Sequence, residues 1–114
     1  LRSLRPLPSP ALEKGGLSAS ALRGEELFHF VGCFDCHNGE HYTDQELHRV
    51  QHATGVSRGR AFDTPTLREV WRTAPYLYDG RAQTIEEALR MKDRGVDDLS
   101  PEELSDLADY VRSL

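Results

Sequence analysis

Two cysteines, one methionine and one tryptophan are all that this 114-residue chain holds of those residues. Two cysteines are too few to staple a small domain with several disulfides or to build a four-cysteine zinc site. No apolar run approaches the roughly 20 residues that a bilayer-crossing helix needs, so no membrane span is read in the chain. Basic residues are scarce as well: 14 Lys and Arg stand against 19 Asp and Glu, a net charge of −5. That balance argues against nucleic acid or anionic lipid as a partner, because both reward a basic patch. Hydrophobic residues make up 38% of the chain, a modest supply for a core. One domain of ordinary size is expected.

The two cysteines are spent together. They stand in Cys33-Phe34-Asp35-Cys36-His37, a Cys-x-x-Cys-His run. This is the attachment signature of a covalent c-type haem. Two thiols add across the two vinyl groups, and two intervening residues let both sulfurs reach one porphyrin edge from a single turn. His37 then stands under the iron as proximal ligand. Three rivals fall short. Structural zinc needs four ligands and a second Cys/His pair. A thioredoxin-like redox pair needs a strand-helix-strand context. A disulfide between Cys33 and Cys36 closes a very small loop and leaves His37 unexplained. One covalent haem c is expected, and its apolar ring would enlarge the core. In bacteria such attachment takes place outside the cytoplasm, so a periplasmic or otherwise extracytoplasmic location is expected. Leu1-Arg2-Ser3-Leu4-Arg5 is followed by prolines rather than an apolar segment, so a leader or a preceding domain is expected upstream.

Residues 1–17 carry Pro6, Pro8, Pro10, Gly15 and Gly16 without periodicity and read as an extended arm or linker. Residues 18–114 then form the haem domain. Ser18 or Ser20 starts a helix with Leu22, Leu27, Phe28 and Val31 as apolar positions, and Gly32 ends it. Phe28, Phe30 and Phe34 are expected near the porphyrin, each as a core-packing residue. From Asn38 to Asp63 a long polar loop is expected, with a short extended segment inside residues 42–50. His41, His48 and His52 fall in this stretch and read as surface histidines rather than iron ligands. Thr64 and Pro65 read as cap and first position of a second helix through Leu67, Val70 and Trp71. Tyr76 to Gly80 reads as a tight aromatic turn. Thr84 with Glu87 reads as a capping box opening a short helix that carries Ile85, Ala88, Leu89 and Met91. After a loop from Asp93 to Leu99, Ser100-Pro101-Glu102-Glu103 opens the last helix, with Leu104, Leu107, Ala108, Val111 and Leu114 on one face. This helix is expected to cross the first. The fold class is all-α, a cytochrome c-like fold with about four helices around one haem.

The distal side of the iron separates carrier from catalyst. Met91 is the one methionine and lies downstream of the haem motif. A thioether on iron favours the ferrous state and leaves no place for substrate. A gap-filling core role is the alternative use of the residue.

Three runs extend the picture: Phe62-Asp63-Thr64-Pro65-Thr66-Leu67-Arg68, Thr73-Ala74-Pro75-Tyr76-Leu77-Tyr78-Asp79-Gly80, and Thr84-Ile85-Glu86-Glu87-Ala88-Leu89-Arg90-Met91. With Gly24-Glu25-Glu26-Leu27-Phe28 and the haem motif, they resemble the C-terminal haem domain of bacterial di-haem cytochrome c peroxidases and MauG-like proteins. The resemblance implies an electron-transfer haem with Met91 as distal iron ligand; the MauG branch uses a tyrosine in that role. It also implies calcium near Thr73 and Pro75, held by backbone carbonyls. Arg68 and Arg81 are candidates to pair with haem propionates, because a guanidinium suits a carboxylate bidentately. Tyr78 stands where the family turn carries a histidine, and the chain has no second Cys-x-x-Cys-His. The expectation is therefore electron transfer to a redox partner protein or an upstream domain, with no catalytic residue assigned. The alternative is the C-terminal portion or subunit of a di-haem peroxidase or MauG-like oxidase.

Overall fold

The computed structural model describes residues 5–49, 60–91 and 95–114. Three α-helices lie among them: α1 (Ala19–Phe30), α2 (Ile85–Arg90) and α3 (Pro101–Arg112). Two short strands, β1 (Leu47–Arg49) and β2 (Ala61–Asp63), pair antiparallel with His48 opposite Phe62.

Capping chemistry sets where each helix begins. The Ser18 hydroxyl accepts from the Ala21 N–H at 3.1 Å and opens α1. Gly32, at φ +88°, closes it in the left-handed conformation that glycine adopts without a Cβ clash. The full capping box at α3 is present: Ser100 Oγ accepts from Glu103 N–H, and Glu103 Oε1 accepts from Ser100 N–H. At α2 only half of the expected box forms. Thr84 accepts from Glu87 N–H, while the Glu87 carboxylate takes the N–H of Gln83 instead of Thr84.

α1 and α3 cross as expected, and the crossing is unusually close. Gly24 sits at the contact, where an added Cβ would lie 1.9 Å from the Asp106 carbonyl oxygen. Ala21, Phe28 and Val31 of the first helix region bury against Leu104, Leu107, Ala108, Tyr110 and Val111. Phe28 and Leu107 are essentially fully enclosed. Each such side chain contributes about 1.5–3 kcal/mol of burial. Ser20 and Arg23 tie the same pair together through Asp106. α2 rests against α3 through Ile85 and Leu89.

The structure corrects three expectations. No α-helix runs through Leu67, Val70 and Trp71, so the described residues hold three α-helices where about four were expected. Thr64 N–H pairs with Glu46 carbonyl and prolongs the strand pairing, Thr66 Oγ1 turns to the His41 carbonyl and to Arg68 N–H, and Glu69 adopts φ +60°. Threonine side chains satisfying nearby backbone in this way compete with a helix. Only a 3₁₀ turn at Val70–Arg72 remains. Second, Phe30 is 84% exposed and Phe34 is exposed too, so of the three phenylalanines Phe28 alone joins the core. Third, the stretch from Asp93 to Leu99 is not all loop, since Val96–Asp98 forms a 3₁₀ turn that buries Val96. The segment inside 42–50 does contain a strand, but its partner β2 was not foreseen. Val50 and His52 lie outside the described residues.

In the N-terminal arm, Ser9 is buried and donates to the Arg112 carbonyl at 2.6 Å, at the end of α3.

Candidate haem centre

Gly32 reverses the chain after α1, so the next residues wind into a 3₁₀ turn at Cys33–Asp35. Cys36 N–H and His37 N–H both donate back to the Cys33 carbonyl, at 3.3 and 2.9 Å. Asn38 closes the turn by donating from Nδ2 to the carbonyls of Phe34 and Asp35. One compact turn thus carries both thiols and the imidazole. The cysteines are half-buried and not joined by a disulfide. Cys33 packs against the same core that holds Phe28.

His37 is oriented by the loop that follows. Its Nδ1 lies 2.9 Å from the Tyr42 carbonyl oxygen. A carbonyl can only accept, so Nδ1 carries the proton and Nε2 keeps its lone pair for a metal. Haem-ligating and metal-ligating histidines are held in this tautomer by such partners.

The other histidines take different parts. His41 is exposed, and its carbonyl accepts from Thr66. His48 Nε2 pairs with Asp44 at 2.7 Å. The Asp44 carboxyl is held down to about 2, chiefly by the hydrogen bond from Glu46 N–H, with desolvation opposing and His48 and Thr64 assisting. Donor atoms of Cys36, Asp44 and His48 lie within 4.8 Å of one another. Three donors fall short of a closed four-ligand zinc site, and this carboxylate already has its hydrogen bonds.

Met91 caps the C-terminal end of α2 and is half-buried. The turn before α2 is built by a Tyr76–Ala82 bridge, with Leu77 at φ +73° and Gly80 at φ +71°. Tyr76 donates its hydroxyl to the Val70 carbonyl at 2.8 Å, and burial pushes its phenol up. Arg68 is engaged on the proximal loop: Nε donates to the Glu40 carbonyl at 3.0 Å, and the guanidinium lies 4.8 Å from the centroid of the Tyr42 ring. Arg81 lies 3.7 Å from Asp79.

The residues present suit a haem. Trp71 Nε1 is buried and has no acceptor among the described residues. A buried donor left in that state costs about 1–3 kcal/mol, and a propionate carboxylate is the acceptor a haem would bring. Two thiols and an imidazole protonated at Nδ1, all in one turn, are a donor set that suits iron porphyrin. The orphaned N–H of Trp71 leaves no signal in the sequence, where the residue reads only as a helix position. Tyr42 and Tyr110, hydroxyl to hydroxyl at 3.0 Å, were also missed as a pair. The sequence signal for Tyr110 was its place three residues after Leu107 on the apolar face.

A helix pair crossed at a glycine, with Cys-x-x-Cys-His in the turn after the first helix, defines the c-type cytochrome class. Comparison with known proteins gives the family. The chain belongs to the cytochrome c family, whose model matches residues 21–114, and membership implies a covalently bound haem that transfers electrons. The cytochrome c551 peroxidase of Nitrosomonas europaea is 31% identical over 98 residues, covering 72% of this chain and 29% of that protein. The methylamine utilization protein MauG of Methylorubrum extorquens is 31% identical over 91 residues, 68% of this chain and 26% of that protein. A solved structure of Kuenenia stuttgartiensis hydrazine synthase, pressurized with 20 bar xenon, superposes with a TM-score of 0.84 at 25% identity, over 99% of this chain and 52% of the matched one. The chain thus spans less than a third of the first two relatives. Among the described residues no helix is long and apolar enough to cross a membrane.

Proposed function

We propose that this domain is an electron relay with one haem, bound by Cys33 and Cys36 and ligated by His37 and Met91, working outside the cytoplasm. The observation that carries the reading is the hydrogen bond from His37 Nδ1 to the Tyr42 carbonyl, in the same turn as both cysteines. It puts the ring proton on Nδ1, so Nε2 is the unprotonated nitrogen that an axial ligand would use.

When bound, a haem supplies a one-electron ferric/ferrous couple. The chain's own residues do the rest. Cys33 and Cys36 would hold the porphyrin by thioether bonds, and His37 would offer Nε2 to the iron. Met91 would offer a soft sulfur to the iron, which would favour the reduced state and leave no open position for a peroxide or gas. Trp71 would give its buried indole N–H to a propionate. Electrons pass to and from a partner redox protein or another domain of the same polypeptide. The test is optical. The ferric protein should show the far-red band of iron–methionine ligation, and Met91→Ala should abolish it; a wild-type spectrum without that band refutes the ligation.

The lengths of the relatives favour a second reading. The chain covers 29% of the cytochrome c551 peroxidase and 26% of the MauG protein. In this reading the domain is the electron-transferring portion of a larger di-haem oxidoreductase. Native mass and haem count decide between them: a longer polypeptide with a second haem supports the larger enzyme, and one haem on a polypeptide of this length refutes it.

A further inference from the structure

Tyr42 occupies an unusual position. Its backbone stands at φ +54°, in the left-handed region that a bulky residue enters only when its surroundings hold it there. Its carbonyl accepts the His37 proton at 2.9 Å. Four contacts fix its side chain and backbone. The phenol hydroxyl meets the Tyr110 hydroxyl at 3.0 Å. The ring stands edge-on to Phe28, with centroids 6.1 Å apart at 73°. Arg68 covers its face at 4.8 Å. Its own N–H donates to the Gly39 carbonyl at 3.3 Å.

The flanking residues are sewn to the segment that the sequence suggested would be helical. Arg68 Nε donates to the Glu40 carbonyl, Thr66 Oγ1 to the His41 carbonyl, and Thr43 Oγ1 to the Thr64 carbonyl. Tyr110 belongs to α3, where it is 2% exposed and packs edge-on to Phe28 at 5.2 Å. A continuous path therefore runs from the α1–α3 crossing through two phenols to the acceptor of the proximal imidazole.

We infer that Tyr42 and Tyr110 act as a positioning pair that sets the strength of the His37 Nδ1–H hydrogen bond, and through it the reduction potential of the iron. The inference rests on His37 being the proximal ligand. A well-aligned acceptor at Nδ1 makes the imidazole a stronger electron donor and favours ferric iron. Loosening that acceptor weakens the donation, so the potential moves in the positive direction. Neither phenol touches the haem iron; both act through the Tyr42 carbonyl.

Tyr110→Phe in the haem-loaded protein deletes one hydroxyl and keeps the ring against Phe28. The midpoint potential should rise, and the Nδ1–H proton of the reduced protein should move upfield in NMR and exchange faster with solvent. The far-red methionine band should persist. Tyr42→Phe removes the same hydroxyl contact from its other end and should shift both readouts in the same direction, which keeps the test open if one variant fails to fold. Ser20→Ala is the structural control. It removes hydrogen bonds to Asp106 and Asp109 at the same helix crossing, far along the sequence from the proximal loop. It should lower the melting temperature and leave the potential at its wild-type value. An unmoved potential and Nδ1–H signal in the tyrosine variants, or an equal shift in Ser20→Ala, overturns the inference. Wild-type protein lacking a c-type haem spectrum overturns the proximal-ligand reading itself, a different result from a normal spectrum with an unmoved potential.

Discussion

Gly24→Ala is the substitution whose outcome the structure prescribes most sharply. In an exposed helix interior this change is favourable by about 0.8–1 kcal/mol, because alanine has the better helix propensity. Here the added methyl would sit 1.9 Å from the Asp106 carbonyl oxygen, 2.6 Å from the carbonyl carbon and 2.8 Å from Tyr110 Cβ. Two of the three obstacles are backbone atoms of α3, which cannot rotate away. α1 and α3 must move apart by roughly 1 Å or more, and a gap of 0.5–1 Å already forfeits a quarter to a half of each dispersion contact across it. The contacts at stake are those of Ala21, Phe28, Leu107, Ala108 and Val111. Overpacking of this kind costs about 1–3 kcal/mol, with a backbone clash at the upper end. Subtracting the propensity gain leaves a net loss of about 2 kcal/mol. At about 4 °C per kcal/mol for a domain of this size, the melting temperature should fall by roughly 8 °C. Thermal unfolding of the haem-loaded protein by far-ultraviolet circular dichroism measures it. An unchanged or raised melting temperature would show that the helices do not cross at Gly24.

Two further expectations concern the same helix pair. Asp106 accepts from Arg23 and from Ser20, and these hydrogen bonds, Arg23 first, hold its carboxyl below the usual range while desolvation opposes them. A depressed folded-state pKa means that the unfolded chain binds the proton first, so this stabilisation is present above about pH 4 and is lost as pH falls through the folded value. Asp106→Asn should therefore flatten the decline of the urea midpoint below about pH 4, and parallel slopes for the two proteins would contradict it. Ser100→Ala removes the cap at α3 and should cost about 1 kcal/mol, or about 4 °C in melting temperature; a shift within 1 °C or so would mean that the capping box contributes nothing.

Local chemistry explains what was readable in advance. Ser18, Gly32, Thr84 and Ser100 mark helix ends through hydrogen bonds that span three or four residues, so their patterns survive in sequence. The haem turn is equally local: Cys33, Cys36 and His37 share one turn in which the backbone N–H groups of Asp35, Cys36 and His37 return to Gly32 and Cys33. The false helix after Thr64 shows the opposite case. Thr64 and Pro65 carry a valid start signal, yet Glu46 and His41, some 20 residues upstream, claim the backbone and the threonine hydroxyls. Phe30 misled for a related reason. It sits next to buried Phe28 and Val31, but the 3.6-residue period turns it to the outside, 84% exposed.

The sequence by itself determined the cofactor class and the helix starts at Ser18, Thr84 and Ser100, because each depends on residues within one or two turns. Only the tertiary structure decided how the proximal imidazole is held. The Tyr42 carbonyl reaches His37 because Tyr110, 68 residues onward, and the segment around Thr66 and Arg68 hold the loop in a left-handed bend. Hydrogen bonds over such separations are paid for by the folding of the whole chain, and no local spacing encodes them. The Cys-x-x-Cys-His run names the haem; the strength of the bond on its histidine belongs to the fold.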